Sequence, residues 1–152
     1  LVSVKGFEVN IYIRSQETDL FKYLSDESTA FLMKEAVSQT VSARECVFHH
    51  GTRPEYIVIL VSGELEIVSP AGRIIGYVHP GEISGEACFT DGTASLYTLR
   101  AYYDSLILKI SFATLEKFMS ATPENGARIQ AALNDSLCLK IIHVTHIREE
   151  HA

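Results

Sequence analysis

The residues best equipped for chemistry lie between positions 81 and 101, Gly-Glu-Ile-Ser-Gly-Glu-Ala-Cys-Phe-Thr-Asp-Gly-Thr-Ala-Ser-Leu-Tyr-Thr-Leu-Arg-Ala. The segment reads as a strand end, a Gly-Glu turn, one turn of helix, a second glycine turn and a new strand. A short helix start held between two strands presents backbone N–H groups to an anion. Those of Gly85, Ala87 and Cys88 are the candidates, and Gly85 lets the chain come close because no side chain intervenes.

The elements that must position this segment follow from periodicity. Residues 7–14 alternate apolar and polar, the pattern of a half-buried strand. Over 19–36, Leu20, Phe21, Leu24, Phe31, Leu32 and Ala36 fall near helical spacing. Ser25 followed by Asp26 and Glu27 looks like an N-cap with an acidic first turn, so two short helices broken near Ser25 are expected. From 37 to 110 short runs of Val, Ile and Tyr are punctuated by Gly51, Pro54, Gly63, Gly72, Gly81 and Gly92, which predicts an antiparallel sandwich or roll. Ser69-Pro70-Ala71-Gly72 is a hairpin turn within it. Ser111 caps a short helix carrying Phe112, Leu115, Phe118 and Met119. After Pro123, residues 125–150 form a long helix with Ile129, Leu133, Leu137, Ile141, Val144 and Ile147 as an apolar stripe.

The order helices, β-roll with an embedded helical turn, helices resembles the cyclic-nucleotide-binding domain family over roughly residues 19–147. Phe48-His49-His50-Gly51, then 56–68 with Gly63, matches the family's early roll, and Gly85-Glu86-Ala87-Cys88 matches its phosphate-binding cassette. The resemblance implies a mainly β fold, an antiparallel β-roll or jelly roll with N-terminal helices and a long C-terminal helix. It implies a linker or strand over 1–18 and the family domain over 19–152, divided into helices at 19–36, roll at 37–110 and helices at 111–150. It also implies that Glu86 accepts from a ribose hydroxyl and that the ligand space is lined by Gly85, Glu86, Ala87, Cys88, Ala94, Ser95 and Leu96.

The chain departs from the family on the strand half of the cassette. Ten residues after Gly85 the family places an arginine on the cyclic phosphate; here that position is Ser95, preceded by Ala94 in place of proline. Losing a desolvated guanidinium partner costs on the order of 2–5 kcal/mol, and one neutral hydroxyl returns about 1 kcal/mol. Leu96 and Tyr97 add volume where the family keeps little. Pointing inward they occupy ligand space, and pointing outward they are ordinary strand residues. Arg100 faces away from Ser95 in a regular strand, leaving Arg53 and Arg73 as substitute cations. Two readings stay open: weak binding of a cAMP- or cGMP-like ligand, or a pocket that has lost its ligand while the roll persists as an interaction module.

Other chemistries are poorly supplied. His143 and His146, one helical turn apart beside Glu149 and Glu150, lack a third metal ligand at fixed spacing. Val78-His79-Pro80-Gly81-Glu82 is similar to a cupin turn, but no His-x-His pair precedes it, so a cupin-like metal enzyme is the remote alternative. Glu64 and Glu66 read as solvated cross-strand charges. No nucleophile motif appears; the expectation is a regulatory domain, not an enzyme, with no cofactor beyond a cyclic nucleotide as ligand. The 152 residues, 47% hydrophobic and 21% charged, suit one globular domain. The net charge of −6 without a Lys/Arg run argues against nucleic acid as a partner, and no run is long enough to enter a bilayer.

Cys46, Cys88 and Cys138 have no metal-type spacing and read as reduced core thiols, which with no visible signal peptide predicts a cytoplasmic setting, including the cytosolic part of a larger or membrane protein. The chain begins with Leu1 rather than Met and reads as a piece of something longer. The expected partners are an attached effector or another protein engaging the C-terminal helix, or a second copy of the chain.

Overall fold

The run Tyr56-Ile-Val-Ile-Leu-Val carries no polar alternation, so its strand must be covered on both faces. In the computed structural model it is the strand Tyr56–Ser62, which sits inside a sheet between two separate cores. Ile57 and Ile59 enter one core, and Val58 and Leu60 enter the other. The structure describes residues 18–140 with their side chains, the backbone of the last helix on to Glu150, and two short strand pieces near the N-terminus. Those pieces, β1 (Val2–Ser3) and β2 (Asn10–Ile11), pair antiparallel, with Val2 opposite Ile11. The rest of the strand expected over 7–14 lies outside the described residues.

The roll is two four-stranded antiparallel sheets. The first has the order β3 (Val37–Val41), β10 (Ser105–Ser111), β5 (Tyr56–Ser62), β8 (Ile83–Ser84). The second runs β4 (Cys46–Phe48), β9 (Thr98–Ala101), β6 (Leu65–Val68), β7 (Ile74–Val78). Between the sheets lies the core of Val41, Phe48, Leu65, Ile67, Leu99 and Ile107. The hairpin at Ser69 forms as its turn residues require: Gly72 N–H donates to Ser69 O, and Ser69 N–H to Arg73 O at 2.7 Å.

The helices cover the outer face of the first sheet. Ser25 caps α1 (Asp26–Glu35) by accepting from the Ser28 N–H at 3.1 Å, and Ser111 caps α3 (Phe112–Ala121) in the same way. The six-residue α2 (Glu86–Asp91) is the helical turn of the cassette. The last helix, α4 (Pro123–Glu150), starts two residues before the sequence reading, because proline suits a first helical position. Gly126 permits its close approach to α3, since a Cβ there would lie 2.7 Å from Met119 O. Ile129 and Leu133 are buried in the chain's own core. The side chains of Ile141, Val144, Ile147, His143, His146, Glu149 and Glu150 lie outside the described residues.

Three expectations are corrected. Among the described residues no helix precedes Ser25: residues 18–24 form consecutive turns, held by Asp19 N–H to Gly81 O at 2.9 Å, Phe21 N–H to Thr18 O and Leu24 N–H to Phe21 O. Leu20, Phe21 and Leu24 are nevertheless buried, so their spacing recorded burial rather than helix. Only Cys88 is a core thiol, while Cys46 and Cys138 are exposed. Glu66 is not solvated. It is 3% exposed and pairs with Arg100 of the neighbouring strand at 3.0 Å, because both project from the same cross-strand pair.

Candidate functional site

Gly85 forms the N-cap of α2 in a left-handed conformation, φ 93°. A Cβ at this position would stand 3.0 Å from Tyr56 O on β5, so backbone of the cassette and backbone of the central strand touch directly. Gly85→Ala is therefore expected to cost about 1–2 kcal/mol of stability, read from urea denaturation. A loss within about 0.5 kcal/mol, the usual scatter of surface substitutions, would show that the turn relaxes without penalty.

From Gly85 the chain drives Glu86 inward, to 1% exposure. Its partner comes from the other end of the sequence. The Lys140 ammonium, on α4, donates to Glu86 Oε1 and to the backbone oxygen of Ile83 at 2.8 Å. Glu86 Oε2 is buried with no hydrogen-bond partner among the described residues. Burial works against the Lys140 charge, but the acidic groups of Tyr97, Glu86 and Glu82 outweigh it and hold its pKa above the ordinary 10.5. A lysine whose folded pKa is raised gives stability that is complete below its ordinary value and is lost as pH rises through the folded value. The stability gap between wild type and Lys140→Met, measured by denaturant titration, should accordingly shrink as pH is taken above 10.5.

The strand half of the cassette is occupied by its own residues. Ser95 is 4% exposed, and its hydroxyl donates to Tyr97 O at 2.6 Å. Its backbone bonds Thr52 O and the Gly51 N–H, both at 2.8 Å. Tyr97 turns inward: its hydroxyl lies 2.7 Å from Ser84 Oγ on β8 and its ring packs 5.7 Å from Phe48. Leu96 is 84% exposed and Ala94 is also exposed, so neither is brought to Glu86. Residues 94–97 thus alternate out and in although β9 begins only at Thr98 and residues 92–97 are irregular.

Of the sequence-derived site residues, Gly85, Glu86, Ala87 and Cys88 are therefore gathered on α2 and its cap. Ser95 is buried on the loop before β9, and Ala94 and Leu96 are turned out. Of the two substitute cations, Arg53 lies over the Phe112 ring at 5.3 Å, near enough to α2 for its charge to act on Cys88, whereas Arg73 is exposed at the β6–β7 turn. Cys88 is buried, and burial followed by the nearby Glu86 carboxylate raises its thiol pKa.

Lys140 is the residue that sequence reasoning missed. It sits in helical register with Ile129, Ala132, Leu133 and Ser136, all buried, and that register was the available signal. Beside Lys140 a cavity of about 140 Å³ opens between β7 and α4, lined by Ile67, Ile75, Val78, Ile83, Leu139 and the carboxylates of Asp19 and Glu82. Burial, then Glu82, pushes the Asp19 carboxyl above its ordinary value. The surroundings are acidic, and the volume is below the roughly 300 Å³ at which small-molecule sites begin. Among the described residues no cluster of three His, Cys, Asp or Glu side chains could hold a metal, and no helix is long and apolar enough to cross a membrane.

The sequence profile of the family described as "Cyclic nucleotide-binding domain" matches residues 38–122, more than half of the chain. The chain belongs to that family. Its cyclic-nucleotide-binding fold is similar to the crystal structure of a cyclic nucleotide-binding domain from Methylobacillus flagellatus KT, with a TM-score of 0.79 and 16% identity over 88% of this chain and 83% of that one. It is also similar to the regulatory subunit of a cAMP-independent protein kinase A from Trypanosoma brucei, with a TM-score of 0.68 and 14% identity over 77% of this chain and 40% of that one. Among curated proteins, uncharacterized NTE family proteins of Mycobacterium tuberculosis and Mycobacterium bovis are 27% identical over 100 residues. That match takes in 66% of this chain and 17% of theirs, so the chain spans about a sixth of the length of these relatives.

Proposed function

We propose that this cyclic-nucleotide-binding domain is a regulatory module whose nucleotide pocket is filled by the protein itself. The observation that carries the reading is the Lys140–Glu86 pair: the carboxylate that the family offers to a ribose hydroxyl already accepts from an ammonium. The inward Tyr97 and the loss of arginine at Ser95 act in the same direction. A cyclic phosphate would also meet the carboxylates of Asp19, Glu82 and Glu86, with no arginine at position 95 to offset them. The same fold in a regulatory subunit named as cAMP-independent supports the idea that the scaffold serves without the nucleotide.

In this reading the domain performs no reaction of its own. It acts on an attached effector or a protein partner, which agrees with its matching 17% of the length of the mycobacterial relatives. Isothermal calorimetry of the wild-type chain tests the proposal. No saturable heat is expected with cyclic AMP or cyclic GMP up to about 1 mM, since the missing charge removes about one and a half to four decades of affinity. Micromolar binding of either nucleotide would overturn it.

A further inference from the structure

We infer that Lys140 is a tethered ligand: the C-terminal helix carries the occupant of its own pocket, so docking of α4 and occupancy of Glu86 are a single equilibrium. The inference rests on the self-filled pocket just described and adds how that pocket is regulated. Lys140 reaches across to Ile83 O at the end of β8 and to Glu86 in the first turn of α2, which ties helix, strand and cassette through one ammonium. A second catch acts five residues earlier. Asp135 accepts from Lys22 Nζ at 2.9 Å and from the Tyr23 hydroxyl at 2.5 Å, holding α4 to the turns before α1.

Five residues advance a helix by about 140°, so the two catches lie on different sides of α4 and together resist both rolling and lifting. They differ in burial. Asp135 has 42% of its side chain exposed, whereas Glu86 has 1%, so lifting α4 leaves Glu86 as a buried carboxylate without its cation. That difference makes Lys140 the element that sets the docked state. A pull on α4 would then open the cassette without a diffusible ligand, and the domain would respond to a load or a partner at its C-terminal helix.

Cys88 supplies the readout. It is buried on α2 in the core that also holds Ile129 and Leu133 of α4, while Cys46 and Cys138 are exposed. In the full chain carrying Cys46→Ser and Cys138→Ser, the single remaining thiol reports opening of the cassette by its rate of reaction with a disulfide reagent, with no nucleotide present. Lys140→Gln is expected to raise that rate about tenfold or more, because removing one partner of a buried pair lowers the free energy of local opening. Lys140→Arg, which keeps the charge, should leave it within about threefold.

A Val41→Ala variant, cut into the other core and away from the cavity beside Lys140, controls for global stability. An equal acceleration there, or no acceleration in Lys140→Gln, would overturn the tether and leave the calorimetric reading of the pocket untouched. Conversely, nucleotide binding by the wild type would overturn the pocket reading while the thiol rates still reported on the tether.

Discussion

Lys140→Ala should lower the unfolding free energy by about 3 kcal/mol, the largest loss expected from any exposed or half-exposed residue among the described ones. The reason is asymmetry of burial. The Lys140 side chain is 24% exposed and Glu86 only 1%, so truncating the lysine strands a carboxylate that water cannot reach. The lower end of the range for buried pairs applies, because the Lys140 side chain is partly exposed. The double variant Glu86→Gln/Lys140→Met removes both charges and should recover most of the loss, giving a coupling energy of about 2 kcal/mol in a double-mutant cycle. Urea titrations of the four proteins check this. Strictly additive single losses would mean that the pair is a packing accident and that nothing holds α4 to the cassette through charge.

How much of this was legible beforehand depends on the distance over which each feature is decided. The Ser25 and Ser111 caps, the hairpin at Ser69 and the two-sided burial of β5 are set by neighbours in sequence, and they form as those neighbours dictate. The Gly85 turn is likewise local, since its left-handed backbone and close approach to Tyr56 O both require glycine. Where the reading failed, a distant partner had decided the outcome. Residues 18–24 carry helical spacing, yet Phe21 and Leu24 bond only three residues back while the Asp19 N–H is anchored to Gly81 O across the fold, and a chain of turns buries the same side chains.

The site shows the same division. Glu86 could be named from its glycine, but its partner lies 54 residues further on and is fixed by where α4 crosses α2. Lys140 belongs to the buried face of α4 by register, and a lysine on that face demands an acid. Which acid it meets is a property of the packed helices and not of either segment alone. Tyr97 was ambiguous for a related reason. Alternation alone left open which of Leu96 and Tyr97 faces in; the bonds of Ser95 to Thr52 and Gly51 set the register, so that Tyr97 turns in and Leu96 turns out.

Restoring the family's charge should convert the domain into a nucleotide receptor. The triple variant Ser95→Arg/Tyr97→Ala/Lys140→Met is expected to bind cyclic AMP at least about thirtyfold more tightly than the wild type, since a desolvated guanidinium on a phosphate is worth 2–5 kcal/mol. Each change has a separate task. Ser95→Arg supplies the bidentate fork that one hydroxyl, already spent on Tyr97 O, cannot imitate. Tyr97→Ala clears the phenol that now reaches Ser84. Lys140→Met frees Glu86, whose carboxylate then needs a new donor that a ribose hydroxyl can provide. Because that donor returns only with the ligand, nucleotide should also raise the melting temperature of the triple variant and leave that of the wild type unchanged. Ser95→Arg alone should gain far less, with the phenol and the lysine still in place. A folded triple variant that takes up no cyclic AMP at about 1 mM would show that position 95 does not face the space beside Glu86, and would sink the self-filled pocket as the reason for silence.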